Sequence, residues 1–419
     1  MNVTRIRKFP VSLGIAVISF VVNLSFFGAL LADNTAATAA TDVAPPGSGT
    51  QTGSAVSTEK GAFDWLDSKL PVHFTLDVNT YYDDNIFISP TKSSDYIFRI
   101  SPGINYTLGE EGESSNYLAL RYVPTIIEYY THSSQDAVNQ NADMVYEHNF
   151  QKLKLTLEQS YVHSNDTSIQ AGAIVVSNIY DTHLSAHYDY NDKLSINADV
   201  NQSLAYYPSS LYSNVYEWSG GAYFLYQITP KISLGVGPRA GYDEIPGQPS
   251  QTWEQGLLHL TYNVTEKVTL TASGGGEVRQ FDTNISDQVT GVFNVGAYWT
   301  PFVGTSLNIT GYRRNAPSYS VGGTNFTATG ISTGIRQNFL EDFWLGINGG
   351  YENDAYTPAS QGITGARNDN YYYVRPYFQW TPQKWVSLTA YYQYSRNDST
   401  LNVVSFNDNQ VGASVSFRY

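Results

Sequence analysis

From residue 71 onward, apolar and polar side chains alternate one by one, and few folds survive that constraint. Val72, Phe74, Leu76 and Val78 share one parity, while His73, Thr75, Asp77 and Asn79 share the other. Neighbouring side chains on a β-strand point to opposite faces, so a period of two means one oily and one wet face. The pattern recurs: Phe98, Ile100, Pro102, Ile104, Tyr106 and Leu108 oppose Arg99, Ser101, Gly103, Asn105 and Thr107. Leu194, Ile196, Ala198 and Val200 oppose Ser195, Asn197, Asp199 and Asn201, and Leu270, Ala272, Gly274 and Val278 oppose Thr271, Ser273, Glu277 and Arg279.

The separators alternate as well. Phe150–Lys152, Asn191–Lys193, Thr229–Lys231, Asn263–Lys267, Thr300–Pro301 and Thr381–Lys384 are short. Asp83–Asp95, Thr131–Asn141, Ser164–Ser177, Tyr207–Asn214, Asp243–Gln251, Phe281–Asp287, Asn315–Asn325, Asp354–Asn370 and Asn397–Asp408 are long and rich in Asn, Asp, Ser and Gly. Strands joined by short turns at one end and long loops at the other predict an all-β fold, a closed antiparallel transmembrane β-barrel with short periplasmic turns and long extracellular loops. The strand count is about 18, or 16 if the weaker stretches Asp136–Asn149 and Asn325–Arg336 are not strands. Closure is required because hydrocarbon offers an open edge no hydrogen-bond partner. Aromatic residues mark two girdles: Tyr106, Phe150, Tyr190, Tyr226, Tyr262, Trp299, Trp380 and Trp385 beside the short turns, and Tyr81, Tyr82, Tyr129, Tyr130, Tyr206 and Tyr207 near the long loops. A water-soluble sandwich or propeller fits the alternation less well, since only 14% of the 419 residues are charged and 34 are Tyr, against roughly 25% charged in an average soluble domain.

The first residues have a different character. Arg5, Arg7 and Lys8 precede an apolar stretch, Val11–Leu31, followed by Ala29, Ala32 and the cluster Ala36–Ala40. This is the order of a secretory signal peptide, assigned to 1–32 with cleavage between 29 and 40. Its length leaves a retained inner-membrane anchor as the alternative. Residues 33–70, rich in Ala, Thr, Ser, Gly and Pro, are expected to be a disordered linker, and the barrel spans 71–419. The chain has no Cys, which excludes a lipoprotein anchor, a disulfide framework and Cys-based metal sites. A formal net charge of −14 argues against a nucleic-acid partner. Val411, Ala413, Val415, Phe417 and Tyr419 end the sequence in alternation, with Phe417 and Tyr419 placed as an assembly signal for the outer-membrane assembly machinery.

Tyr81-Tyr82-Asp83-Asp84-Asn85-Ile86-Phe87, then Ser94-Asp95 and Ser101-Pro102-Gly103, resembles the opening of the β-barrel porin 2 family of Gram-negative outer membranes. The resemblance implies an outer-membrane barrel, often linked to exopolysaccharide biosynthesis and export genes. The partners that follow are outer-membrane lipid and lipopolysaccharide, and exopolysaccharide or its export components.

Parity places Arg99, Arg121, Arg239, Arg279, Arg314, Arg375 and Arg418 on the wet face, with Asp77, Glu158, Asp181, Asp189, Asp199 and Glu277. Tyr371, Tyr373 and Tyr377 share a strand and parity with Arg375. Some 18 strands enclose a lumen wide enough for water, so these residues are candidate lumen-lining groups. They either set up a transverse field or pair and solvate the wall. The tyrosines either offer sugars a flat face or pack as girdle. Asp83, Asp84 and Asn85 have hard oxygens suited to a divalent cation, although a solvated turn explains them more simply, and no metal or cofactor is expected. A rim hydrolase would need a nucleophile, a His and an orienting partner. The candidates are His163 beside Ser164 and His132 near Ser133 and Ser134, with His183 and His187 inside; none has family-level spacing, and no catalytic residue is assigned. Gly274-Gly275-Gly276 lies within a strand and is read as relief of crowding, not as a phosphate loop. The function expected is porin-like passage of hydrophilic solutes or assistance to exopolysaccharide export. The alternative is a non-conducting surface barrel that tethers polysaccharide.

Overall fold

A computed structural model describes residues 71–282, 285–320, 325–357 and 367–419. The signal-peptide and linker expectations fall outside those residues. Eighteen strands form one antiparallel sheet: β1 Val72–Asp83, β2 Asp95–Leu108, β3 Asn116–Tyr129, β4 Ala137–Asn149, β5 Leu153–Ser168, β6 Ala173–Asn191, β7 Leu194–Tyr206, β8 Val215–Thr229, β9 Ile232–Glu244, β10 Gln251–Thr265, β11 Val268–Phe281, β12 Gln288–Trp299, β13 Thr305–Pro317, β14 Asn325–Leu340, β15 Phe343–Thr357, β16 Asn368–Gln383, β17 Val386–Ser399 and β18 Phe406–Arg418. Each strand pairs with its sequence neighbours, and β18 pairs with β1 from Arg418↔Thr75 to Gln410↔Asp83, so the sheet closes. Tyr419 and Phe74 exchange two backbone hydrogen bonds, of 2.7 and 2.8 Å, at the base of that closure. Both weak stretches are strands, β4 and β14, and the count is 18 rather than 16.

Register decides which parity faces in. Cross-strand partners lie on one face, and side chains that reach past an intervening strand can meet only on the concave one. Arg279 on β11 bonds Asp243 on β9, Tyr312 on β13 bonds Glu352 on β15, and Arg99 on β2 bonds Asp166 on β5. That parity is therefore internal. The opposite parity carries exposed Phe74, Val200, Phe224, Leu258 and Leu345 around the wall.

Two loop expectations change. Ser164–Ser177 is mostly strand: the ladder runs to Ser168↔Ala173, leaving only Ile169–Gly172 as the turn. Residues 165–168 at the end of β5 are polar on both parities and residues 173–176 at the start of β6 are apolar on both, so neither half alternates and a period of two does not show there. Among the long-loop aromatics, Tyr81 and Tyr129 are inward and buried instead of joining an outer girdle, and Tyr207 stacks inside a loop cluster. The outer rim instead carries a run of ring contacts through Tyr161, Tyr180, Tyr206, Tyr216, Trp218 and Tyr242.

Short ladder gaps inside β2–β3, β8–β9 and β16–β17 are closed by pairs on both sides, whereas one seam runs open to the rim. β12 and β13 pair only from Trp299↔Leu307 up to Phe293↔Arg313, although each pairs farther with its other neighbour. Above that point side chains bridge the gap: Asn315 donates to Glu277 (2.8 Å), Gln288 donates to Thr357 (2.6 Å), and Asn325 donates to Gln288 (3.0 Å). Asn315, Asn325 and Thr357 have the outward parity, whereas Glu277 and Gln288 face inward. The upper ends of β13–β15 therefore lie on the lumen side of β12.

Candidate functional site

The lumen is lined by charged residues that its own wall partly neutralises. Arg279, almost fully buried, donates to Asp243 (2.5 Å), Glu277 (2.9 Å) and Gln251 (2.8 Å). Arg239 pairs with Asp199 at 3.3 Å and Arg121 with Asp143 at 3.5 Å. Arg375 and Arg336 have no carboxylate within ion-pair distance among the described residues. Each lies instead over an aromatic ring, Arg375 4.1 Å from the centre of Tyr391 and Arg336 4.0 Å from that of Trp344. Arg314 lies 6.0 Å from the Tyr312 ring. The aromatic face replaces a carboxylate partner there. Arg418 sits at the short-turn end and Asp77 midway along β1, both exposed on the inward parity. Glu158 is exposed opposite His183. Asp181 accepts from Ser160 at 3.5 Å, and Asp189 meets His187 at 3.2 Å.

Tyr371, Tyr373 and Tyr377 lie along the wall instead of crossing it. Tyr371 and Tyr373 stack at 6.0 Å and 26°. Tyr377 lies so closely over Gly346, its cross-strand partner, that a Cβ there would come within 2.1 Å of the ring. Gly275 has a similar role, since a Cβ on it would approach the Gly256 carbonyl oxygen to 1.8 Å.

The motif at the opening of β1–β2 builds part of the mouth. Tyr82 faces outward, but Asp83, Asn85 and Ile86 are buried. Ile86 joins Tyr81, Ile97, Ile127, Tyr129 and Tyr391 in one cluster, with Phe87 packed on it. Asn85 donates to Ser89 O and Asn407 O, and Gln410 donates to Asp83 at 3.0 Å. Burial would raise the Asp84 carboxyl, but Lys92 at 2.6 Å and two hydrogen bonds from Asn409 hold it below its ordinary range. These oxygens are occupied by the chain itself, neither a solvated turn nor an open metal site; no group of three or more His, Asp or Glu among the described residues is arranged to hold a metal. Ser101 shares a 2.8 Å hydrogen bond with Thr125, Pro102 faces outward opposite Leu76, and Gly103 packs against Thr75. At the other end Phe417 stacks on Trp385, and Tyr419 is exposed.

Loops from opposite walls meet at the mouth. β5 and β14 lie nine strands apart in an 18-strand ring, yet Gln170 donates to Ser318 (3.2 Å) and Ser320 donates to Gln170 O (3.1 Å). Tyr319 stacks on Tyr207 at 4.3 Å and 16°, meets Tyr212 edge-on, hydrogen-bonds Ser168, and accepts from the Ser213 N–H through its carbonyl at 3.0 Å. Burial pushes the Tyr319 phenol up to about 12, so it stays neutral at physiological pH. On the other side a Cβ on Gly172 (φ +63°) would come within 2.9 Å of Val404. Sequence reasoning missed Tyr319, Asp166, Asp243 and Arg336; Arg336 alone was accessible to it, through the parity of β14.

The proposed histidine sites divide. His163 faces outward and bonds Asn178 at 3.0 Å, while Ser164 faces inward and donates to Asp166, so they form no dyad. His183 and His187 bond Asn201 and Asn197. His132 is bound not to Ser133 or Ser134 but to Ser93 and Asp95.

No family model and no curated protein matches the sequence, so the resemblance to the β-barrel porin 2 family rests on the opening motif. Several solved outer-membrane proteins align with most of the chain at low similarity. Pseudomonas aeruginosa OpdK with vanillate has 10% identity and a TM-score of 0.45, covering 83% of this chain and 99% of its own. P. aeruginosa OccK2 (OpdF) has 9% identity and a TM-score of 0.46, covering 83% and 98%. Acinetobacter baumannii OccAB3 has 9% and 0.44, covering 83% and 99%. The closed strand ladder, not these alignments, establishes the architecture.

Proposed function

We propose that this chain is a Gram-negative outer-membrane channel for small hydrophilic solutes. One observation carries the reading: around a closed wall of 18 strands, large apolar side chains face out while most Arg, Asp and Glu face in, the outward Glu128, Glu254, Arg396 and Asp398 lying at the long-loop ends of their strands. Such an apolar belt greatly exceeds the few hundred Å² that soluble proteins expose and calls for lipid. A ring of this size leaves room for water inside. Outer-membrane lipid and lipopolysaccharide would then surround the belt, and the Phe417–Tyr419 end would serve the assembly machinery.

Inward carboxylates outnumber inward guanidinium and ammonium groups. Asp77 and Glu158, both exposed, add to the ion-paired set without an ion pair of their own among the described residues. A low-dielectric wall of one dominant sign concentrates counter-ions, so the channel should favour cations over anions and neutral solutes over polyanions. An acidic exopolysaccharide fits this lumen poorly; a role in polysaccharide export rests on the motif resemblance and would suit a neutral polymer better.

Purified protein in planar bilayers tests the reading. Stepwise currents are expected, with a reversal potential of cation-selective sign in a KCl gradient. The loops that meet over the mouth favour a second reading, a non-conducting surface barrel that tethers polysaccharide. Electrical silence from a folded, heat-modifiable barrel would select it.

A further inference from the structure

The long-loop rim holds a constellation that conduction does not need. Ser93 precedes β2, Asp95 is the first residue of β2, and His132 lies between β3 and β4. Ser93 Oγ is 3.1 Å from His132 Nε2, and His132 Nδ1 is 2.8 Å from Asp95 Oδ2. The Asp95 side chain is fully buried, while that of His132 is 31% exposed. Asp95 also accepts the backbone N–H of Thr131 (3.0 Å) and of His132 (2.8 Å), so the acid is held by the loop that carries the imidazole. Thr131 Oγ1 is 2.9 Å from the same Nδ1. A carboxylate can only accept, so Nδ1 carries the proton and Nε2 is left with its lone pair toward the Ser93 hydroxyl. Phe87 packs edge-on against the imidazole at 5.7 Å.

Strain in the same loop points the same way. Ile88 has φ +43°, the one non-glycine residue with positive φ among those described. A β-branched side chain pays heavily there, and such outliers persist where the surroundings over-determine them, often at functional sites. The Ile86 N–H binds Ser93 O at 2.9 Å, tying the strained segment to the serine.

We propose that Ser93, His132 and Asp95 form an esterase site at the extracellular rim, open to carboxylic esters from outside the cell. Ser93 Oγ attacks the ester carbonyl carbon as its proton passes to His132 Nε2. The carbonyl–alkoxy bond then breaks, and the alcohol leaves with the proton from Nε2, forming an acyl-Ser93 ester. Water attacks that ester, gives a proton to Nε2 and releases the carboxylic acid, and Ser93 recovers its proton. Asp95 stabilises the imidazolium in both halves without itself being protonated.

The test uses full-length folded barrel, checked by heat-modifiable migration, with a fluorophosphonate probe and p-nitrophenyl butyrate. The expected result is a fluorophosphonate adduct on Ser93 and butyrate release that falls on the order of 10³-fold in Ser93→Ala and in His132→Gln. Ser93→Cys adds a readout that a structural role would not move. The chain has no other cysteine, so iodoacetamide alkylation reports the thiol at position 93 alone, and His132→Gln should shift its pH profile toward that of a free thiol. Folded protein that gives no Ser93 adduct, together with an alkylation profile indifferent to His132→Gln, would overturn the proposal and leave the three residues as a loop tie. Neither outcome touches conductance, so the channel reading stands or falls separately.

Discussion

Arg279 shows how a single side chain keeps its place in this lumen. It lies between Asp243 and Glu277, all three about 1% exposed or less, with Gln251 completing its hydrogen bonds. Breaking such a set by removing one member costs more than the set contributes, because the orphaned charges stay buried. Arg279→Met is expected to lower barrel stability by about 3–5 kcal/mol, read as urea midpoints in detergent. A triple change that also makes Asp243→Asn and Glu277→Gln should recover much of that loss. Lys92–Asp84 is the opposite case, exposed enough that Lys92→Ala should cost less than about 1 kcal/mol. The Asp84 carboxyl is held low, so whatever stability its partners supply is present at neutral pH and is lost as pH falls through that lowered value.

At the scale of strands and loops, period two made most of the fold readable. Once Phe98–Leu108 or Leu194–Val200 alternates, which residues share a face follows directly, and the register then decides which face is internal. Arg99, Glu277 and Tyr371 share a face because the β-backbone permits nothing else. The hairpin end of β5–β6 escaped because Asn165 to Ser168 are polar on both parities and Ala173 to Val176 apolar on both, so neither half alternates. Contacts between loops escaped for another reason: Tyr319 meets Tyr207 across the ring only after closure of the sheet, and Ser93 meets His132 only after the β2–β3 register brings their loops together. Two element-level outcomes follow. Tyr319→Ala removes the stack and the bond to Ser168, so a thiol introduced by Ser318→Cys, at present fully buried, should label on the order of tenfold faster with an impermeant maleimide, the size expected for one aromatic pair plus one hydrogen bond. Gly346→Val would drive Tyr377 off the wall into the lumen, and lower single-channel conductance is the expected readout.

For the molecule as a whole, the seam between β12 and β13 decides how the barrel can deform. A complete ring of backbone hydrogen bonds is stiff, because widening it anywhere breaks ladder pairs. Here Gln288–Val292 and Arg314–Pro317 have no ladder with each other, so hydrogen exchange should be faster at amides directed into that gap than at their counterparts in β15–β17. A hoop slit part-way down from its rim yields at the slit while its uncut base holds shape. The diameter of this mouth can change by trading a few amide and hydroxyl contacts with water, leaving the short-turn half of the cylinder as round as before.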